Sequence, residues 1–262
     1  MAADRTRRVS LVTGGASGIG AAACVAFAER GFDVALCYRS RAAQAEVVAE
    51  SCRSAGATVL PIEADVADDR DCRFAVEAAV DCFGGIDAVV NCAGSTQFVP
   101  MADLEGITAV DFERVFRINA IGPFQIVRAA VPSLRERRGA VVNVSSVAGI
   151  VGNGSSMAYV ASKAALNVLT VALARTLGPE IRVNAVLPGL VETDWVRRGV
   201  GDAAYESVHA RWATSAALGK VATADEVAEH IVFLAADAGL MTGQLVCVDA
   251  GFLLGRPAKV SK

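Results

Sequence analysis

With 262 residues, 53% of them hydrophobic and 20% charged, the chain has the length of one large α/β domain or two small ones and the apolar content for a large core, which excludes global disorder. A net charge of -3 gives no overall basic field for nucleic acid. Only two histidines, His209 and His230, and no C-x-x-C pair among seven cysteines leave little scope for a metal site.

The start carries Arg5, Thr6, Arg7 and Arg8, read as a solvated basic tail. No signal peptide is expected, and no apolar stretch approaches the roughly 20 residues a membrane helix needs. From there strand and helix patterns alternate. RVSLVT predicts a strand and GIGAAACVAFAERG a helix; FDVALCY a strand and RAAQAEVVAESCRSAG a helix; ATVLPIEADV a strand and ADDRDCRFAVEAAVDCFGG a helix. IDAVVNCAG is a strand. DFERVFRINAIGPFQIVRAAVPSLRERRG is one long helix interrupted by prolines. AVVNVSS is a strand, SMAYVASKAALNVLTVALARTLG a helix, IRVNAVLPG a strand, ADEVAEHIVFLAAD a helix and QLVCVDAG a last strand. This alternation implies an α/β fold, a doubly wound parallel Rossmann sheet of about seven strands in a single domain over 1–262. The cysteines fall mostly in apolar patterns and read as buried free thiols of a reducing cytoplasm. Residues 190–217 lack periodicity and follow a strand end, where ligands bind in such sheets; they are a candidate lid or a plain surface insertion.

TGGASGIG, residues 13–20, joins the first strand to the first helix. In that context Gly14 permits a tight turn, Gly18 lets a pyrophosphate approach the backbone, and Gly20 allows close helix–strand packing. The helix N-terminus then offers free N–H groups and a positive dipole end. The second strand ends without the acid that binds a ribose 2′-hydroxyl; Tyr38 is followed by Arg39, Ser40 and Arg41. A guanidinium pairs with a 2′-phosphate, so NADP(H) is favoured, with NAD(H) possible.

Tyr159 and Lys163 are four residues apart and share a helix face. A cation beside a phenol favours the phenolate. In the long helix Pro123 has no N–H for the carbonyl of Asn119, which leaves that carbonyl free to hold a water, or marks a packing kink alone.

TGGASGIG, NCAG at 91–94, Asn119, Ser146, Tyr159-x-x-x-Lys163, PGLVET at 188–193 and VDAG near the end occur in order. Together they resemble the short-chain dehydrogenase/reductase (SDR) family over about residues 9–254. The resemblance implies a hydride-transfer enzyme interconverting a carbonyl and an alcohol. Tyr159 is then the proton donor, Ser146 orients the substrate oxygen, Lys163 tunes Tyr159 and binds the nicotinamide ribose, and Asn119 anchors a water in a proton relay. It also implies a cofactor site from Thr13, Gly14, Ser17, Gly18, Ile19, Gly20, Tyr38, Arg39, Ser40, Asp65, Val66, Asn91, Ala93, Gly94, Tyr159, Lys163, Pro188, Gly189, Val191 and Thr193, and a homotetramer or dimer. Three departures stand out: NCAG where the family has Asn-Asn-Ala-Gly, Asp249-Ala250-Gly251 where it has Asp-Gly-Gly, a mild change, and the loop STQFVPMADLEG.

Val147, Val151, Trp195 and Trp212 suggest a partly hydrophobic small-molecule carbonyl or alcohol, while Arg197, Arg198 and Arg211 either meet an anionic group or keep the lid hydrated. The preferred function is an NADP(H)-dependent carbonyl reductase or alcohol dehydrogenase. A 3-oxoacyl-carrier-protein reductase, docking its carrier at Arg128, Arg135, Arg137 and Arg138, is the second reading. A non-catalytic dinucleotide sensor is the third, although no residue of the Ser-Tyr-Lys set is lost. Neither nucleic acid nor membrane is an expected partner.

Overall fold

The computed structural model describes residues 7–255. Its first half repeats one unit. β1 (Val9–Thr13), α1 (Gly18–Glu29), β2 (Asp33–Tyr38), α2 (Ala42–Ser54), β3 (Val59–Glu63), α3 (Asp69–Phe83) and β4 (Ala88–Asn91) alternate along the chain. β1 and β4 read VSLVT and AVVN, rich in valine with few polar residues, and every residue in both is buried. Helix ends carry their own chemistry: Asp68 accepts the N–H of Arg70 at the start of α3, and Gly84 closes it at φ 76.

The second half continues with α4 (Ala109–Phe116), a π-helical turn (Arg117–Ile121), α5 (Gly122–Arg137), β5 (Ala140–Val144), α6 (Ala148–Val151), α7 (Met157–Leu177) and β6 (Arg182–Pro188). Then come β7 (Val191–Glu192), α8 (Asp194–Val200), α9 (Asp202–Ser215), β8 (Ala222–Thr223), α10 (Ala224–Ala236), β9 (Leu245–Val248) and a 3-10 turn (Phe252–Leu254).

The seven-stranded sheet runs β3-β2-β1-β4-β5-β6-β9, parallel throughout. The order reverses between β1 and β4, so a crevice opens beyond their carboxyl ends. Two apolar layers cover the faces. One centres on Phe27, Phe32, Leu36 and Ile231, the other on Phe83, Ile86, Ile126 and Leu134. Each such side chain, fully buried, contributes about 1.5–3 kcal/mol.

Several expectations change. The single long helix is two helices around the π turn; Pro123 sits just inside α5, while Pro132 stays within it. Segment 190–217 is not irregular but carries α8 and α9, joined at Gly201. Arg5 and Thr6 lie outside the described residues; Arg7 is half-buried and pairs with Asp33 at 3.3 Å, while Arg8 is exposed as expected, its guanidinium 4.3 Å over the Phe32 ring. Cys24, Cys37, Cys52 and Cys72 are buried, but Cys82 and Cys247 are exposed. α7, at 21 residues, is long and apolar enough to cross a membrane; here it packs between α6, the π turn and β6 and carries Tyr159 and Lys163. Ala250 has φ 53, a left-handed backbone that costs an alanine about 1–2 kcal/mol, so replacing the family's glycine there is not mild.

Candidate active site

The crevice begins at the glycine turn. Gly14 has φ 69, and a Cβ there would stand 2.9 Å from Ala93 Cα; one on Gly20 would stand 2.3 Å from the Gly14 carbonyl oxygen. Glycine therefore lets the turn close on itself and on the loop after β4. Ser17 precedes α1 in extended backbone and makes no side-chain cap, so the amides of the first turn of α1 are not engaged by it. The methyl group of Thr193 faces this turn from across the crevice, 3.5 Å from a Cβ built on Gly18. Thr13 serves the scaffold: its hydroxyl accepts the N–H groups of Cys92 and Ala93, each at 3.1 Å.

At the far side of the turn, β2 ends at Tyr38. Arg39 is exposed, and its guanidinium is 3.9 Å from the Asp65 carboxylate. Asp65 is itself tied down, accepting the N–H of Ala67 at 3.0 Å. The Val66 carbonyl accepts Gln125 Nε2 at 3.0 Å, which joins this loop to α5.

Beyond β5 the other candidates converge. Ser146 is buried; its Oγ accepts the Ala148 N–H at 3.1 Å and lies 3.5 Å from the Pro188 carbonyl oxygen. Ser156 caps α7 by accepting the Tyr159 N–H at 3.2 Å, which fixes Tyr159 in the first turn. One turn later Lys163 is 5% exposed, its Nζ donating to the Val144 carbonyl at 2.8 Å and lying 5.7 Å from the Tyr159 ring centre. Burial pushes the Tyr159 phenol up to about 12, with the Ser146 hydroxyl acting in the opposite direction. Burial also pulls Lys163 down to about 8. The phenol is thus raised, not lowered as expected from Lys163: desolvation is the largest cause, and the group that lowers it is Ser146.

Asn119 lies in the π turn, wholly buried. Its Oδ1 accepts the Ser95 N–H at 2.8 Å; its Nδ2 donates to the Ser95 carbonyl at 2.9 Å and to Ser162 Oγ at 3.0 Å. The side chain is therefore spent on the loop after β4 and on α7. Asn91 is also spent inside: its Nδ2 donates to Asn143 Oδ1 at 2.9 Å, and Asn143 Nδ2 donates to Thr170 Oγ1 at 2.9 Å. This buried relay holds α7 in register with β4 and β5. Asn143, Ser162, Ser95 and the Val144 carbonyl were missed by sequence reasoning. The one available signal was an asparagine inside each of two otherwise apolar strands, NCAG and VVNVSS.

Residues of segment 190–217 lie beside the crevice. The Trp195 ring reaches within 3.7 Å of a Cβ built on Gly94, and Gly199 lies flat against Phe98, whose ring would be 2.0 Å from a Cβ there. Two arginines of the candidate lid pair with its own acids. Arg197 pairs with Asp202 at 2.9 Å and Glu206 at 3.2 Å, and Arg198 with Asp194 at 2.6 Å. Along α5, Arg128 pairs with Asp69, and Arg137 donates to the Gly84 carbonyl at 2.8 Å.

This arrangement has known relatives. The family profile described as Enoyl-(Acyl carrier protein) reductase matches residues 14–253. A Burkholderia xenovorans structure, described as a candidate short-chain dehydrogenase/reductase, superposes with a TM-score of 0.89 at 44% identity, covering 96% of this chain and 100% of that one. The chain is 38% identical over 244 residues to candidate ketoacyl reductase 2 of the granaticin polyketide synthase of Streptomyces violaceoruber, covering 93% of this chain and 95% of the relative. It is 37% identical over 248 residues to the cis-4-hydroxycyclohexanecarboxylate dehydrogenase of Sinomonas cyclohexanicum, covering 94% and 96%. The chain belongs to the short-chain dehydrogenase/reductase family and is an oxidoreductase acting on CH–OH or C=O groups.

Proposed function

We propose that the protein is an NADP(H)-dependent oxidoreductase that interconverts a small carbonyl compound and a secondary alcohol, using Ser146, Tyr159, Lys163 and Asn119. The observation that carries this reading is the meeting of Tyr159, Lys163 and Ser146 at the carboxyl end of β5, in the same crevice as the glycine turn.

The residues fit a dinucleotide: Gly14 and Gly20 let the turn close tightly, and Gly18, at φ 55, leaves bare backbone facing Thr193 across the crevice. The amides of Ser17, Gly18 and Ile19 would hold its pyrophosphate. Arg39, with Ser40 and Tyr38, would meet a 2′-phosphate, since no acid ends β2. Asp65, Val66 and Asn91 would flank the adenosine end. Ala93, Gly94, Pro188, Gly189, Val191 and Thr193 would flank the nicotinamide end, with Lys163 at its ribose. The bound cofactor would supply or accept the hydride. The phenol of Tyr159, kept protonated by burial, gives its proton to the forming alkoxide, while Ser146 holds the substrate oxygen. Lys163 stands behind the phenol, and the Asn119 carbonyl, opposite the N–H that Pro123 lacks, is the natural water anchor.

A 3-oxoacyl-carrier-protein reductase is the second reading, favoured by the ketoacyl reductase relative. The pairing of Arg128 and Arg137 within the protein weighs against a carrier-docking patch there. We read the chain as one domain with 190–217 as its lid. We place it in the cytoplasm, as a homotetramer or dimer, on its free thiols and on the exposed apolar side chains of α7.

The test is oxidation of NADPH and NADH against a panel of ketones and acyl thioesters, with cofactor titrations of the parent and Arg39→Ala. Ketone turnover with NADPH supports the preferred reading, and turnover of thioesters alone the second. Arg39→Ala should weaken NADPH about tenfold or more and leave NADH unchanged, the scale of a lost charge-assisted hydrogen bond. Equal loss for both cofactors would contradict the assignment of Arg39.

A further inference from the structure

Trp212, on α9, stands where several distant segments meet. Its ring packs on Val147, Ala185 and Leu187. A Cβ on Gly189 would lie 2.7 Å from Trp212 Cζ3, so the turn after β6 presses its bare backbone against the indole. Phe252 stacks on the same indole, ring centres 3.7 Å apart and 17° from parallel. Phe252 is fixed in turn by Asp249, whose two carboxylate oxygens accept the N–H groups of Gly251 at 2.9 Å and Leu253 at 2.8 Å.

The contacts continue into the site. Gly189 donates its N–H to the Val248 carbonyl at 3.3 Å, and Val147 donates to the Pro188 carbonyl at 3.1 Å. That same carbonyl lies 3.5 Å from Ser146 Oγ. The Pro188–Gly189 turn therefore has Ser146 on one side and the aromatic stack on the other. Stacked rings are rigid and hold their partners at fixed separation. A shift of the indole moves the turn, because glycine backbone in van der Waals contact has no slack to absorb it.

We propose that Trp212 and Phe252 are positioning residues: their stack sets the Pro188–Gly189 turn, and through it the Ser146 hydroxyl, so that the C-terminal turn governs the reaction without touching the substrate. This rests on the reaction proposed above. It makes the C-terminal turn and α9 one mechanical unit, to which Leu218 adds a bond by donating its N–H to the Ala250 carbonyl at 3.0 Å.

The experiment uses the full chain with Trp212→Leu, Phe252→Ala and the conservative Trp212→Phe. Phe252→Ala, at a half-buried site near the chain end, covers the case in which Trp212→Leu does not fold. Hydrogen exchange without cofactor reads the amides of Val147 and Gly189, and steady-state kinetics give kcat and KM. In Trp212→Leu and Phe252→Ala both amides should exchange about tenfold faster while β1 and β2 stay as protected as in the parent. kcat should fall about tenfold with KM nearly unchanged, the signature of a misplaced group that acts in the transition state. Trp212→Phe should restore both. Parent-like exchange at the two amides overturns the proposal, as does uniform loosening of the whole chain with kcat per folded molecule unchanged. If the parent reduces no carbonyl compound, the reaction reading fails, and the exchange result still decides whether the stack holds the turn.

Discussion

Lys163 is a buried ammonium whose Nζ donates to the Val144 carbonyl. Burial pulls it from 10.5 to about 8. Between those two values the unfolded chain holds a proton that the folded protein has released, so stability rises with pH across that window. Tyr159 acts later and with the opposite sign. Its phenol is raised from 10 to about 12, so between those values the folded state keeps the extra proton and stability falls as pH rises. Denaturant unfolding from pH 7 to 10 should therefore show the parent gaining up to about 3 kcal/mol relative to Lys163→Met. A constant difference between the two would contradict the burial argument. The spacing of Tyr159 and Lys163 on one helix face was legible in the sequence. The Val144 carbonyl was not, because its partner is 19 residues away and no local pattern encodes it.

Among the elements, α7 does two jobs. Its inner face carries Ser162, Lys163, Asn167 and Thr170, all buried. Its outer face leaves Val168 70% exposed and Val171 open, with Leu245 of β9 beside them along the same groove. In the proposed oligomer this apolar strip is the surface on which copies of the chain would meet. Light scattering at micromolar concentration should give a tetramer or dimer, and Val168→Glu should shift it to a smaller species. A monomeric parent would contradict this. The apolar run of α7 was readable, and so was the break at Pro123. The form of that break was not: a missing N–H predicts a fault in the helix, but tertiary packing of Asn119 against Ser95 and Ser162 selected a π turn. α8 and α9 escaped notice because ion pairs and isolated aromatic contacts such as that of Trp212 hold them, not a periodic apolar face. In α9 only Tyr205 is buried, and Arg197 reaches across Gly201 to Asp202 and Glu206, so no apolar period was there to find.

At the scale of the whole molecule, the parallel sheet of about seven strands was legible in the alternation of strands and helices, since parallel strands need crossovers, whereas the order in which the strands lie was not. That order puts the glycine turn, the loop after β4, Ser146 and the Pro188–Gly189 turn at one edge of the sheet, although they are separated by as many as 175 residues in sequence (14 to 189). The glycine turn and the proposed Ser-Tyr-Lys set could be picked out because each depends on residue type at fixed spacing. The support behind them, Asn143 with Thr170 and Trp212 with Phe252, depends on contacts between distant segments and had no such spacing. In the proposed reaction this assembled edge delivers a proton through Tyr159. The most direct measurement compares the parent with Tyr159→Phe for NADPH affinity and for turnover of a ketone substrate. Cofactor affinity should stay within about twofold while turnover falls by about 10²–10⁴, the usual contribution of a positioned proton donor. Turnover equal to the parent's would contradict the account.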